Sequence, residues 1–224
     1  MKKRVSDLIS KLLPKNDFAR SVSVLVSGTA SSQIILVLAS PVLTRLYSPD
    51  DFGLLGLYLG VVSICTVIAN CSYHFAVTLP EKDEEAANIL ALIVLLITGF
   101  AIFVGILLMF WGDSLLLGTD LEKLKSYYWL LPFGIVCSGV YEALTYWAAR
   151  TKDYAHIAQA KVKQAVFTLL IQFAGFKMSA FSLILGQASG HGLGTFFLGL
   201  RALKRIDIKR ITTKTILAAA IRYK

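Results

Sequence analysis

Long uncharged stretches, divided by short charged ones, set the pattern of this chain. Residues 21–44 carry no charge, and 24 residues at about 1.5 Å each are enough to cross a hydrocarbon layer of about 30 Å. Ser23, Ser27 and Ser31 recur every four residues, a small-residue edge that predicts close helix approach. Thr29, Gln33, Ser40 and Thr44 fall near a second polar face, so this helix is expected to face other helices or a cavity. Pro41 predicts a kink near its outer end. Ser48-Pro49-Asp50-Asp51 predicts the next helix start, with Ser48 as N-cap, Pro49 at the first helical position and acids in the first turn.

The second predicted span covers residues 52–79. Gly56 and Gly60 form a close-packing pair, and Ser63, Asn70 and His74 align at i, i+7 and i+11. It ends abruptly in Glu81, Lys82, Asp83, Glu84 and Glu85, a passage from lipid-compatible to strongly hydrated chain. Residues 89–111 form the third and most lipid-like span, and 112–126 a polar outer loop. The fourth, 127–147, is framed by Tyr127, Tyr128 and Trp129 at one end and Tyr146 and Trp147 at the other, a spacing that predicts aromatic belts about 30 Å apart. Within it Glu142 shares a face with Ser138 and Thr145, roughly 12 Å from Arg150. His74 lies roughly 9 Å from Pro80, so the two ionisable groups are expected at similar depth.

The fifth span has too few uncharged residues between Lys163 and Lys177 to cross alone. It becomes long enough if it starts near residue 158, with Lys161 and Lys163 snorkelling or facing a cavity. The sixth, 179–200, carries Gly186, Gly190 and Gly194 as a four-residue ladder, with Gln187 one turn before His191. The pattern predicts an all-α integral membrane protein of six transmembrane helices, a lobe spanning 21–203. It is preceded by a basic arm, 1–20, and followed by a basic tail, 204–224. In the arm Val5, Leu8, Ile9, Leu12 and Leu13 keep helical spacing, so it is either an amphipathic helix on the inner leaflet or a solvated basic arm.

Composition agrees: 56% of residues are hydrophobic and mean hydropathy is +0.66. The net charge of +9 raises nucleic acid as a partner, and its distribution removes it. Of 23 Lys and Arg, 19 fall in segments on one side of the predicted spans, the asymmetry that places both termini in the cytoplasm. Cys65, Cys71 and Cys137 all lie within spans, which is neither a disulfide framework nor a zinc site. No phosphate-binding loop, His-Cys metal cluster or nucleophile with its base is written in the chain, and its loops are short. The expectation is a non-enzymatic membrane protein without a cofactor.

Four stretches carry a resemblance: 41–53 (PVLTRLYSPDDFG), 75–89 (FAVTLPEKDEEAANI), 141–147 (YEALTYW) and 185–195 (LGQASGHGLGT). Together and in this order they resemble the polysaccharide biosynthesis or O-antigen flippase family, in the superfamily that also holds multidrug and toxin extrusion transporters. The resemblance implies one lobe of a two-lobe alternating-access transporter of the bacterial inner membrane. Its substrate would be an undecaprenyl-diphosphate-linked oligosaccharide, handed to the machinery that assembles surface polysaccharide. It makes the tail the start of a linker to a second lobe, and the chain either a truncated piece or half of a homodimer. The family's second span commonly ends in an arginine, a tyrosine and a glutamate; Ser72, Tyr73 and His74 stand there. The acid is missing, and Glu142 in the fourth span is expected to face His74 instead as a titrating pair.

A charged headgroup crossing hydrocarbon needs a hydrated, polar cavity. Thr29, Gln33, Asn70 and Gln187 are candidates for binding sugar, and Arg45, Lys161 and Lys163 for diphosphate. Arg45 either snorkels or takes part, and His191 either binds substrate or packs between helices. Without a nucleotide site, coupling would come from an ion or substrate gradient, with His74 or Glu142 as proton carrier. Three other functions fit less well: a membrane glycosyltransferase or polymerase would carry a large periplasmic loop with catalytic acids, and the 112–126 loop is too small. An ion-coupled drug exporter would show more cavity acids than Glu142, and a non-transporting membrane scaffold would need only one lobe.

Overall fold

The computed structural model describes residues 17–70, 73–80, 82–116, 118 and 120–206. Among these, all regular structure is helical. Six long helices follow one another: α1 (Asp17–Leu46), α2 (Pro49–Asn70), α3 (Asp83–Leu116), α4 (Leu130–Arg150), α5 (Tyr154–Ala174) and α6 (Ala180–Arg205). A single turn, Tyr73–Ala76, follows α2, and 3-10 turns Asp120–Tyr127 and Phe176–Met178 precede α4 and α6. Most of the N-terminal arm and of the tail lies outside the described residues.

Three stretches, Arg20–Leu46, Pro49–Asn70 and Asp83–Gly112, are long and apolar enough to cross a membrane. With them this is a multi-pass membrane protein. The other three helices have 21, 21 and 26 residues but are less apolar, and much of their polarity is turned inward. Thr168, Gln172 and Ser182 are buried, and Gln164 and His191 half-buried.

The second helix is shorter than its apolar run. It stops at Asn70, and the extended span to 79 predicted from hydropathy is replaced by the separate turn Tyr73–Ala76. The predicted helix start before α2 is present. The Ser48 hydroxyl accepts from Asp51 N–H at 3.2 Å, and Asp51 Oδ2 accepts from Ser48 N–H at 3.0 Å, a reciprocal cap with Pro49 leading the helix. α1 runs helically through Pro41.

Although a two-residue turn joins α1 to α2, α1 packs on α5; α5 packs on α6, α6 on α4, and α2 and α3 on α4. Lipid tails are as apolar as leucine, so such helices associate through close packing and buried polar contacts. The close approaches are specific. A Cβ at Gly28 would overlap Ala158, and one at Gly134 would overlap the Tyr58 hydroxyl, which donates to Leu130 O at 3.1 Å. The ladder Gly186, Gly190, Gly194 meets Gln172, Thr168 and the Tyr141 ring in turn, so it serves both α5 and α4.

Two small-residue expectations fail. Gly56 and Gly60 meet nothing within 4 Å, because α2 presents Tyr58 and Val62 to the lobe instead. Ser27 and Ser31 are exposed, and the α1 contact runs through Gly28, one position away on the helix wheel. The inner aromatic belt also turns inward: Trp147 is buried, and Tyr146 lies against His74 with ring centroids 4.9 Å apart.

Candidate functional site

Between α2 and α4 the lobe holds a cavity of about 440 Å³. Its walls are the faces of α2 (Ser63, Thr66) and α4 (Ser138, Glu142), with Lys161 from α5 and His191 from α6. Thr66 and Ser138 hydroxyls lie 3.0 Å apart, and Ser138 also donates to Gly134 O at 2.7 Å. The seam between α2 and α4 is thus polar along one side, with Leu59 and Val67 supplying apolar wall.

At one end of this seam is the densest polar cluster. Asn70 Nδ2 donates to Glu142 Oε2 at 2.9 Å, and His74 Nε2 lies 4.0 Å from Glu142 Oε1. Asn70 is fully buried and His74 is 8% exposed, whereas the Glu142 side chain is 40% exposed toward the cavity. Asn70 Oδ1 and His74 Nδ1 have no hydrogen-bond partner. Glu142 is thus held by Asn70 and lies beside His74 at one end of the cavity. The His74 ring packs against Phe75 and Tyr146, with centroids 4.1 and 4.9 Å away, which sets it beside α4.

The remaining candidates divide. Lys161 Nζ donates to Thr29 Oγ1 at 3.1 Å, which brings those two together across α1 and α5 beside the cavity. His191 is bracketed by two amides: Gln164 Nε2 is 3.2 Å from its Nδ1, and Gln187 Nε2 is 3.5 Å from its Nε2. It also meets the edge of Tyr141 at 5.5 Å, so it both packs three helices together and lines the cavity. Gln33 and Arg45 are exposed on α1 and are not part of the cavity wall. Lys163, one residue pair from Lys161 on α5, points elsewhere: its ammonium lies 3.9 Å over the Phe197 ring at a second cavity. Helical geometry explains the split, since positions two apart are about 200° apart on the wheel.

Sequence reasoning missed Thr66, Tyr141, Tyr146 and Gln164. Thr66 lies four residues before Asn70 and so on its face, a signal that was available. Gln164 and the tyrosines carry no such signal, because their partners come from other helices.

Just beyond the cluster, Arg150 at the end of α4 donates to Asp83 Oδ1 at 3.0 Å and to the Pro80 carbonyl. The chain between the single turn and α3 is pinned to α4 by these bonds. At the opposite end, Tyr47 donates to Gln172 O and Asp51 Oδ1 accepts from Ala180 N–H at 2.9 Å, tying the α1–α2 turn to the start of α6.

No curated protein and no solved structure matches the chain. The family described as polysaccharide biosynthesis protein matches residues 42–219, from the last turns of α1 through all of α6. A match over most of the 224 residues shows that the chain belongs to the polysaccharide biosynthesis protein family.

Proposed function

We propose that this chain is one six-helix lobe of a flippase for lipid-linked oligosaccharide. It moves undecaprenyl-diphosphate-linked repeat units from the cytoplasmic to the periplasmic leaflet of the bacterial inner membrane, for O-antigen, capsule or exopolysaccharide assembly. All six helices cross the bilayer in this reading, and both termini lie in the cytoplasm. A second lobe, from a longer chain or a second copy, closes the cavity.

The observation that carries it is the cavity of about 440 Å³, with Glu142, Lys161 and His191 set among apolar helices. Ionisable side chains are rare among membrane helices, and those that face a cavity there mark a path for a polar passenger. Lys161 supplies the positive charge toward diphosphate, and Thr66 and Ser138 supply hydroxyls toward sugar. His74 and Glu142 carry the coupling proton: proton uptake on His74 forms the pair, and its release frees Glu142 for the next cycle. The wall offers a single acid, Glu142, balanced by Lys161, where a cationic drug would call for more.

Expression in a strain lacking its own flippase tests the reading, with the chain as given and with any further coding sequence that follows it. Restored surface polysaccharide is expected, and continued accumulation of lipid-linked units at the cytoplasmic face in both cases would overturn it. In the complementing form, Glu142→Gln is expected to flatten the pH dependence of export. An unchanged pH profile would remove the proton role.

A further inference from the structure

A second cavity, of about 200 Å³, lies between α5 and α6. It is lined by Lys163 and Gln159 of α5 and by Phe197, Arg201 and Lys204 of α6, with His156 at its edge. We infer that this cavity is a headgroup site for an anionic phospholipid, with the lipid phosphate between Lys163 and Lys204 and the acyl chains along Phe197 and Leu200. The inference rests on the reading that α5 and α6 cross the bilayer.

Charge is the first argument. The acid facing this region among the described residues is Asp153, whose side chain is 12% exposed behind the cations. It lies 3.6 Å from Arg201 Nε and 3.6 Å from Arg205 Nη2, and it also contacts His156 Nδ1. Arg201 Nη2 is 3.3 Å from that same imidazole nitrogen. One carboxylate thus faces two guanidiniums, and the Lys163 and Lys204 ammoniums add charge that it does not balance. Basic residues at the end of a helix are ordinarily explained by its dipole, and Lys204 and Arg205 close α6 in that way. Lys163 escapes this explanation. It lies nine residues into α5, roughly 13 Å from the helix start, and still converges on the same cavity by lying over Phe197.

Shape is the second argument. The volume is below the roughly 300–1,000 Å³ of sites that enclose a drug-sized ligand, which suits a phosphate ester whose remainder lies outside. The rim continues into exposed apolar side chains, Phe196, Phe197, Leu200 and Leu203, the surface an acyl chain would cover. Basic pockets between membrane helices are where anionic headgroups are held. This site is separate from the transport cavity, which takes Lys161 from the other face of α5.

Native mass spectrometry of the full chain in neutral detergent, titrated with phosphatidylglycerol or phosphatidylcholine, tests the site. Preferential retention of phosphatidylglycerol is expected. Affinity should fall about fivefold for Lys163→Gln or Lys204→Gln, and about 25-fold for both. Lys177→Gln, at the opposite end of α5, should change nothing. Should the double variant fail to fold, the single variants and a decline of wild-type binding with added salt carry the same test. Equal retention of the two lipids, unchanged binding in the folded variants, or displacement of phosphatidylglycerol by inorganic phosphate would overturn the lipid site. Impermeant-maleimide labelling of cysteines replacing Lys152 and Lys177, which flank α5, separates the two failures: labelling from the same side would sink the membrane-crossing reading, whereas labelling from opposite sides with no lipid preference would sink the headgroup site alone.

Discussion

At the scale of the residue, Asn70 is the side chain on which the polar cluster depends. It is fully buried, it donates to Glu142, and its own oxygen has no partner. Asn70→Ala removes the one amide that holds Glu142 when His74 is neutral. Losing a hydrogen bond to a charged group costs about 1.5–3 kcal/mol, and water in the cavity can reach the 40%-exposed carboxylate, so about 1 kcal/mol is the expected loss. A lowered thermal midpoint in detergent would show it, and no change would mean that Asn70 contributes nothing to holding the site. Which polar residues matter was legible in part. Asn70, His74 and Glu142 stand out as polar positions in apolar runs, and the depth argument put His74 and Glu142 at one level. Their contact at 4.0 Å depends on how α2 and the turn after it pack against α4, which hydropathy does not reveal.

At the scale of the element, small residues act where a neighbouring backbone or ring comes close. Gly190 faces Thr168 Oγ1 and the Gln164 carbonyl, and a valine there must push α6 off α5. Overpacking of this kind costs about 1–3 kcal/mol, so Gly190→Val should lower the melting temperature clearly. Gly56→Val on α2, which meets open space within the lobe, should do so far less. Equal destabilisation by the two would contradict the packing described. The loop between the single turn and α3 bonds locally at Thr78 and Leu79, and Arg150 adds the bonds that tie it to α4. Arg150→Ala is therefore expected to speed tryptic cleavage at Lys82 severalfold in inverted vesicles, while unaltered cleavage would show that the loop needs no such clamp. Glycine spacing alone predicted both a used ladder and an unused pair. The difference is whether a partner helix lies on that face, which is a property of the bundle.

At the scale of the whole molecule, the helices form a bundle with α1 at its margin on α5 and a polar cavity between α2 and α4. Orientation can be measured. In a background lacking Cys65, Cys71 and Cys137, a cysteine replacing Lys177 should react with an impermeant maleimide on intact spheroplasts. One replacing Lys82 should react only after permeabilisation. The reverse pattern would invert the topology that the basic residues predict.

Local apolar composition alone makes the chain helical and suited to a membrane. Uncharged runs of this length can satisfy their backbone in lipid only as helices, and that holds whatever the neighbours are. The sequence also carries the family, because the four motif stretches are local. Which polar side chains share a cavity is set by how the helices pack. Lys161 and Lys163 are two residues apart and equally polar, yet one bonds Thr29 beside the cavity between α2 and α4 and the other joins Arg201 and Lys204 at a separate site. That choice is set by which helices flank α5, since a helix places nearby residues on opposite faces and leaves the bundle to give each face its meaning.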